Sequence, residues 1–458
     1  MAITAPPASI FKAYDIRGIY GEEMDAETAH LIGRGFARVL ARLREKETTE
    51  LRVGLGHDMR LSGPEMADGV RRGLVEEGVT VLDAGMVATE MTYYLCGSRE
   101  LDGAAMVTAS HNPKPYTGVK LMREGALALS GDAGIQDVRK EIEAGLPDPP
   151  GGGTVEEVQI YPDFHEHMLS FIDPGAIGPL RILVDGSDGM AGPMVGPLLE
   201  QLDLDVTPSR WVPDGNFPEA GPNPFLEENR RTLVEHVKKS GFDLAIAWDG
   251  DADRCFFIDG EGNFCDGDFV CALLARAALV KQPGATILYD PRSSRAVPDT
   301  VAAEGGKADL SRVGHAFFKI RMRETGAVFG GEVSGHYYFR HFYCADSGTL
   351  PALAILELVS REGRPLADLI DEFRSRYFIS GEINSEVADQ EAKMAEIAER
   401  YSDGEISHLD GVSVDYPDWH FNVRPSNTEP LLRLNLESLV SREDMEQKRD
   451  EVLALIRS

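Results

Sequence analysis

Asp249, Asp251 and Asp253 alternate in DGDADR, directly after the apolar run DLAIAW. Three carboxylates at i, i+2 and i+4 in a tight turn converge on one hard divalent cation, with Gly250 and Ala252 leaving room. Packed that closely they repel one another unless a cation or protons intervene, so a bound metal relieves the conflict. A solvated acidic turn is the plainer alternative. An EF-hand fragment fails on spacing: its loop needs Gly at position 6 and Glu at position 12, and counting from Asp249 these are Arg254 and Gly260.

TASHNP at 108–113 also follows an apolar run, Ala104 to Val107, and ends in an Asn112-Pro113 turn. The Ser110-His111 dipeptide invites comparison with a hydrolase triad. Adjacent residues rarely present their side chains to each other, however, and the chain has no GxSxG elbow. Two further readings stay open: a surface turn without chemistry, and a phosphorylatable serine facing the metal loop. A phosphoserine there would add the anionic oxygen that three aspartates lack.

RPSNTEP at 424–430 sets Arg424, Ser426, Asn427 and Thr428 in a turn bounded by prolines. A guanidinium, small hydrogen-bonding side chains and freed backbone N–H groups suit a phosphate cradle, against the alternative of a loop that caps an element. FKAYDIRG at 11–18 places Lys12, Tyr14 and Arg17 before a glycine turn. GGEVSGH at 330–336 sets Glu332, Ser334 and His336 among three glycines, a polar loop able to follow sugar hydroxyls. Either of these last two is weak by itself.

The elements that must position these loops can be read from periodicity. Short apolar runs end in polar loops rich in Gly or Asp at 51–58, 104–112, 181–189, 243–254 and 285–294. Buried parallel strands have this form, with chemistry beyond their carboxyl ends. Residues 25–46 carry Ile32, Phe36, Val39, Leu40 and Leu43 at helical spacing behind a candidate N-cap, Asp25. A final amphipathic helix opens with a capping-box-like Ser441-x-x-Asp444. The fold class is α/β.

At roughly 150 residues per domain, 458 residues predict about three domains and a sizeable core. GLPDPPGGG at 145–153 reads as an interdomain linker, with softer boundaries near EGNF at 261–264 and YFISGEINSE at 377–386. The resulting division is 1–150, 151–260, 261–375 and 376–458. Forty-six basic against 76 acidic residues give a net charge of −30, which argues against nucleic acid and anionic membrane surfaces as partners. Anionic small substrates remain open to local Arg and Lys clusters. Five cysteines without a CxxC pair argue against a disulfide framework or zinc site. With no apolar leader and no run long enough to span a bilayer, a soluble cytoplasmic protein is expected.

Taken together, TASHNP, DGDADR, GEVSGH and RPSNTEP, in that order, resemble the signatures of the α-D-phosphohexomutase family, and within it the bacterial phosphomannomutases. The resemblance covers essentially the whole chain. It implies four domains around a central cleft: three related α/β domains with mixed sheets, then a smaller C-terminal α+β domain. It implies a resting phosphoserine at Ser110 and Mg²⁺ held by that phosphate with Asp249, Asp251 and Asp253. The reaction so implied interconverts hexose 1- and 6-phosphates, with a hexose 1,6-bisphosphate as intermediate and activator.

By the same resemblance Lys120 is the candidate general base with Tyr14 and Arg17 beside it, and His315 assists proton transfer. His111 joins this catalytic set. Arg254, next to the metal loop, helps neutralise the moving phosphoryl. Glu332 and Ser334, followed by His336, grip the sugar's 3- and 4-hydroxyls, and RPSNTEP grips the phosphate not being transferred. Glucose and mannose differ only at C2, so such contacts cannot separate them, and activity on both mannose and glucose phosphates is expected. Val333 stands where the phosphoglucosamine branch carries Gln, which weighs against that sugar. Ala316 stands where many members have Ser, which puts hydrogen bonding around His315 in doubt. A phosphosugar phosphatase and a non-catalytic phosphosugar-binding homologue are the competing functions. The phosphate cradle argues against the first; retention of Ser110 and all three aspartates argues against the second.

Overall fold

The computed structural model describes residues 6–130, 134–426 and 431–458. These form two compact units, Met1–Phe264 with Gly335–Pro365, and Cys265–Ser334 with Leu366–Ser458.

The first unit contains two mixed sheets. In the larger, the strand order is Ile16–Ile19, Tyr116–Arg123, Gly103–Val107, Arg52–His57, Thr80–Met86 and Thr154–Glu157, with Leu127–Ala128 added to Tyr116–Arg123. Arg52–His57 runs parallel to both Gly103–Val107 and Thr80–Met86, whereas Tyr116–Arg123 is antiparallel to its neighbours. Gly103–Val107 is buried throughout, as its unbroken apolar sequence requires. Residues 145–153, expected as an interdomain linker, lead into Thr154–Glu157, a fully exposed strand that pairs with Thr80–Met86, so this sheet extends past residue 150.

Helix Ala26–Arg44 covers the sheet with Ile32, Phe36, Val39 and Leu40 buried, and Asp25 caps it by accepting the Thr28 N–H at 2.8 Å. Leu43, expected on the same face, is exposed in the last turn. The helix crosses Gly63–Glu76 so closely that a Cβ at Gly73 would sit 2.2 Å from the His30 carbonyl oxygen. Only glycine permits that approach.

The second sheet has the order Cys255–Asp259, Leu244–Trp248, Leu180–Asp185 and Leu204–Ser209. Leu244–Trp248 lies parallel to Leu180–Asp185 and antiparallel to Cys255–Asp259, and both it and Cys255–Asp259 are buried end to end. Tyr337–Phe339 and Ala345–Asp346 form a short antiparallel pair ahead of helix Thr349–Glu362.

In the second unit, Thr286–Tyr289 is flanked by Lys307–Leu310 and Phe329–Gly331, all parallel. The chain then builds an antiparallel sheet in the order Phe378–Ile379, Leu431–Ser438, Trp419–Pro425, Val412–Asp415 and Glu405–Ser407, with Ile383–Glu386 also on Leu431–Ser438. Helix Arg442–Arg457 buries Met445, Val452, Leu453 and Ile456 in a core with Phe421, Val423 and Leu434. Ser441 accepts the Asp444 N–H at 3.2 Å, while the Asp444 carboxylate takes the Ser438 hydroxyl, so only the serine half of the expected capping box forms. Among the described residues no helix is long and apolar enough to cross a membrane, and all five cysteines are buried, with no disulfide between them.

Candidate active site

Leu244–Trp248 ends where DGDADR begins, and the turn brings carboxylate oxygens of Asp249, Asp251 and Asp253 within 4.8 Å of one another. All three are buried. Arg254 holds Asp249, donating from Nε at 3.0 Å and from its terminal nitrogen at 2.8 Å to Oδ2. Lys120, on the strand Tyr116–Arg123, donates to Asp251 at 2.7 Å and to Asp253 at 2.6 Å. Thr89 adds a 2.5 Å hydrogen bond to Asp251.

Burial raises the pKa of Asp253 to about 6, with the Asp251 charge adding to the effect. Burial would raise Asp251 too, but the Lys120 charge and hydrogen bond hold it well below the usual carboxylate range. For Lys120 itself burial favours the neutral amine, and the two carboxylates reverse this and raise its pKa. Asp251 Oδ1 and Asp253 Oδ1 are buried without a hydrogen-bond partner among the described residues. Two such oxygens beside a third carboxylate are a donor set that fits a divalent metal ion. His336 Nε2 lies 3.9 Å from Asp253 Oδ1, and Asp346 joins them in a second, overlapping group of metal-ligand type.

Ser110 follows Gly103–Val107 and faces this loop: its Oγ donates to Asp249 Oδ2 at 3.0 Å. The two loops approach so closely that a Cβ at Gly250 would meet the Ser110 carbonyl oxygen at 2.8 Å. Ser110 has φ of +48°, a left-handed conformation that costs a β-carbon-bearing residue roughly 1 kcal/mol. In this conformation Ser110 Oγ and His111 Nδ1 lie 3.2 Å apart, contrary to the expectation that neighbours in sequence would not face each other. Burial, with Arg254 and Arg17 nearby, lowers the His111 pKa well below its ordinary value and keeps the ring neutral. Arg17 donates to Asn112 Oδ1 at 2.6 Å and pairs with Asp15. Tyr14 is half-buried just ahead of that strand.

The serine loop rests on residues that the motifs do not contain. The Ser110 N–H donates to Thr108 Oγ1 at 2.8 Å, and the Thr108 hydroxyl donates to Asp58 Oδ2 at 2.6 Å. Arg60 donates to the carbonyls of Ser110 at 2.7 Å, Asn112 at 2.6 Å, Pro113 at 3.1 Å and Tyr116 at 3.1 Å. At the start of helix Thr89–Ser98, Thr89 touches the metal loop while its neighbour Glu90 accepts hydrogen bonds from Ser347 and Thr349. Trp248 Nε1 donates to the Gly348 carbonyl at 2.9 Å, tying the same segment to the metal-loop strand.

In the second unit, Glu332 follows Phe329–Gly331 and accepts the Gly314 N–H at 2.8 Å and an Arg292 N–H at 3.3 Å. His315 comes next after Gly314 and opens helix His315–Thr325; its neighbour Ala316 is buried. Ser334 ends the unit's segment of the GGEVSGH loop. Arg424 is buried near the end of Trp419–Pro425, and Ser426 accepts from Arg433 at 3.3 Å. Asn427 and Thr428 lie outside the described residues. Burial, followed by the charge of Arg292, lowers the Arg424 pKa, and Arg433 acts in the same sense. Arg433 and Arg292 both lean on Glu382, at 3.0 and 3.8 Å. Arg424 thus lies among like charges, but each guanidinium also faces a carboxylate: Arg292 faces Asp290, Arg292 and Arg433 share Glu382, and Arg424 lies 3.9 Å from Asp410. Arg292, Arg433 and Glu382 lie outside the four motifs, and only the arrangement in space identifies them.

Four models of the phosphoglucomutase/phosphomannomutase family match the chain in order: the alpha/beta/alpha domains I, II and III at residues 8–146, 162–262 and 266–377, and the C-terminal domain at 382–455. A phosphohexose mutase of Xanthomonas campestris pv. campestris is 41% identical over 454 residues, covering 98% of this chain and 99% of the relative. A phosphomannomutase of Salmonella montevideo is 40% identical over 458 residues, with the same coverage of 98% and 99%. A crystal structure of a phosphoglucomutase/phosphomannomutase family protein from Burkholderia thailandensis superposes with a TM-score of 0.89 at 32% identity, covering 98% of this chain and 97% of that one.

Proposed function

The chain belongs to the phosphoglucomutase/phosphomannomutase family, and from that premise we propose that it is a phosphomannomutase. It interconverts mannose 1-phosphate and mannose 6-phosphate through a phosphorylated Ser110, and accepts glucose phosphates as well. The observation that carries this reading is the Ser110 hydroxyl aimed at Asp249 within the three-aspartate loop.

Asp249, Asp251 and Asp253 are the proposed holders of Mg²⁺, with the phosphate on Ser110. Bound there, the ion offsets the negative charge of the phosphoryl group in transfer. The sugar's free hydroxyl attacks phosphorus, the Ser110 Oγ–P bond breaks, and a hexose 1,6-bisphosphate results. After the sugar turns over, its other phosphoryl returns to Oγ. The same bisphosphate serves as activator by phosphorylating an enzyme that has lost its phosphate.

As the sugar hydroxyl attacks, it gives up a proton and the departing Ser110 Oγ takes one. Lys120, held protonated by its two carboxylates, and His315 handle these two protons and swap acid and base roles between the half-reactions. Neutral His111 faces Ser110 and Arg17 holds Asn112 in the same loop; Tyr14 acts with them in this reading, and His315 assists the transfer. Arg254 orients Asp249 and adds positive charge. Glu332, Ser334 and His336 bind sugar hydroxyls, while Arg424, Ser426, Asn427 and Thr428 hold the phosphate at rest.

The test is a phosphorus NMR time course with Mg²⁺, a trace of hexose 1,6-bisphosphate and, separately, mannose, glucose and glucosamine 1-phosphates. The expected result is 6-phosphate from mannose and glucose. Inorganic phosphate instead would mean that water, not sugar, takes the phosphoryl, and no change in any tube would sink the enzymatic reading.

A further inference from the structure

The residues that hold the Ser110 loop do not touch its hydroxyl. Asp58 and Arg60 sit at the end of Arg52–His57, the strand beside Gly103–Val107, and are 1% and 3% exposed. They grip the loop from two directions. The Asp58 carboxylate reaches the Ser110 N–H through the Thr108 hydroxyl, and the Arg60 guanidinium takes the Ser110, Asn112, Pro113 and Tyr116 carbonyls. The two arms are fixed to each other, because the Arg60 N–H donates to Asp58 Oδ1 at 2.9 Å.

The second unit repeats the device. Asp290 and Arg292 follow Thr286–Tyr289, the strand beside Phe329–Gly331, and the Arg292 N–H donates to Asp290 Oδ1 at 2.8 Å. Arg292 then reaches Glu332 in the loop beyond the neighbouring strand. The same Asp-x-Arg turn at the same place thus steadies a loop carrying a candidate site residue in each unit.

We propose that Asp58 and Arg60 are positioning residues for phosphoryl transfer, clamping the backbone around Ser110 so that its Oγ stays on the metal loop whether or not it carries a phosphoryl group. The inference rests on the mutase reading above. A strained φ survives only where its surroundings enforce it, and here both peptide groups of Ser110 are held, its N–H by Thr108 and its carbonyl by Arg60. The clamp's hydrogen bonds to the Ser110 loop all go to its backbone or to Thr108, and the Arg60 guanidinium is backed by the Phe217 ring, 5.4 Å from its centroid. The clamp therefore does not compete with a phosphate on Oγ, and it holds the loop equally in the hydroxyl and phosphorylated states. A side chain that bound the phosphate directly would change partners at each half-reaction; this one does not.

The test compares wild-type chain and Arg60→Lys by steady-state kinetics on mannose 1-phosphate and by the phosphorus NMR signal of phosphorylated Ser110. An ammonium cannot span four carbonyls, so kcat is expected to fall about 100-fold while KM stays within about threefold. The phosphoserine resonance is expected to shift or broaden. Wild-type kcat with an unaltered resonance overturns the clamp, as does a rise in KM at unchanged kcat. Should Arg60→Lys fail to fold, Thr108→Val, which severs only the Asp58 arm, decides by the same two readouts. Wild-type protein inert toward every hexose phosphate would instead defeat the mutase reading itself. An active wild type with an equally active variant defeats the clamp alone.

Discussion

Glu90 and Thr349 stand 259 positions apart in the chain, yet the Thr349 hydroxyl donates a 2.5 Å hydrogen bond to the Glu90 carboxylate. The Thr349 N–H donates to the same carboxylate at 3.1 Å, and Ser347 donates to its other oxygen. Burial nevertheless dominates and pushes the Glu90 pKa up to about 8. The next residue back, Thr89, holds Asp251, so Glu90 sits one residue from a direct contact of the metal loop.

A carboxyl whose folded pKa lies above its unfolded value binds more protons when folded. Its contribution is therefore full at low pH and is lost as pH rises toward 8. Between pH 6 and pH 9 the wild-type chain should lose on the order of 2 kcal/mol that Glu90→Gln does not lose. Urea unfolding of both proteins across that range measures the difference, and parallel pH profiles would refute the assignment.

Ser110 separates chemistry from strain. Ser110→Ala and Ser110→Gly should both abolish turnover and phosphorylation, read by the kinetic assay and by intact mass. They should differ in stability. Glycine is at ease at a φ of +48° and alanine is not, so the glycine variant should be more stable by about 1 kcal/mol in chemical denaturation. Equal stabilities would mean that the loop relaxes once the hydroxyl is gone.

Lys120 occupies the same two carboxylates that a divalent cation needs. Lys120→Met removes a positive charge from that spot, so Mg²⁺ should bind on the order of tenfold more tightly while turnover collapses. Calorimetric titration gives the affinity directly. Weaker binding in the variant would show that Lys120 organises the aspartates rather than competing for them.

The sequence carries the positions of the reactive groups better than the means of holding them. DGDADR and TASHNP follow apolar runs, and that alone places them on loops beyond parallel strands, where the structure has them. The Asp25 cap follows from the residue type at the start of a helical period. Asp58, Arg60, Glu90 and Arg433 could not be read in this way. Each acts on residues tens to hundreds of positions away, and Asp-x-Arg is too short a pattern to stand out in an acidic chain. Nor could the sequence foretell that Ser110 would face His111, since that depends on one left-handed residue held by distant contacts.

The exposed strand Thr154–Glu157 bears on a hazard common to open sheets. An unpaired outer strand offers its free peptide groups to any passing chain and so invites edge-to-edge aggregation. Here the outermost residues beyond Thr80–Met86 end in Glu156 and Glu157, on a molecule of net charge −30. A second copy aligning there in parallel register would set glutamate against glutamate, so this border of the sheet disfavours stacking of like strands.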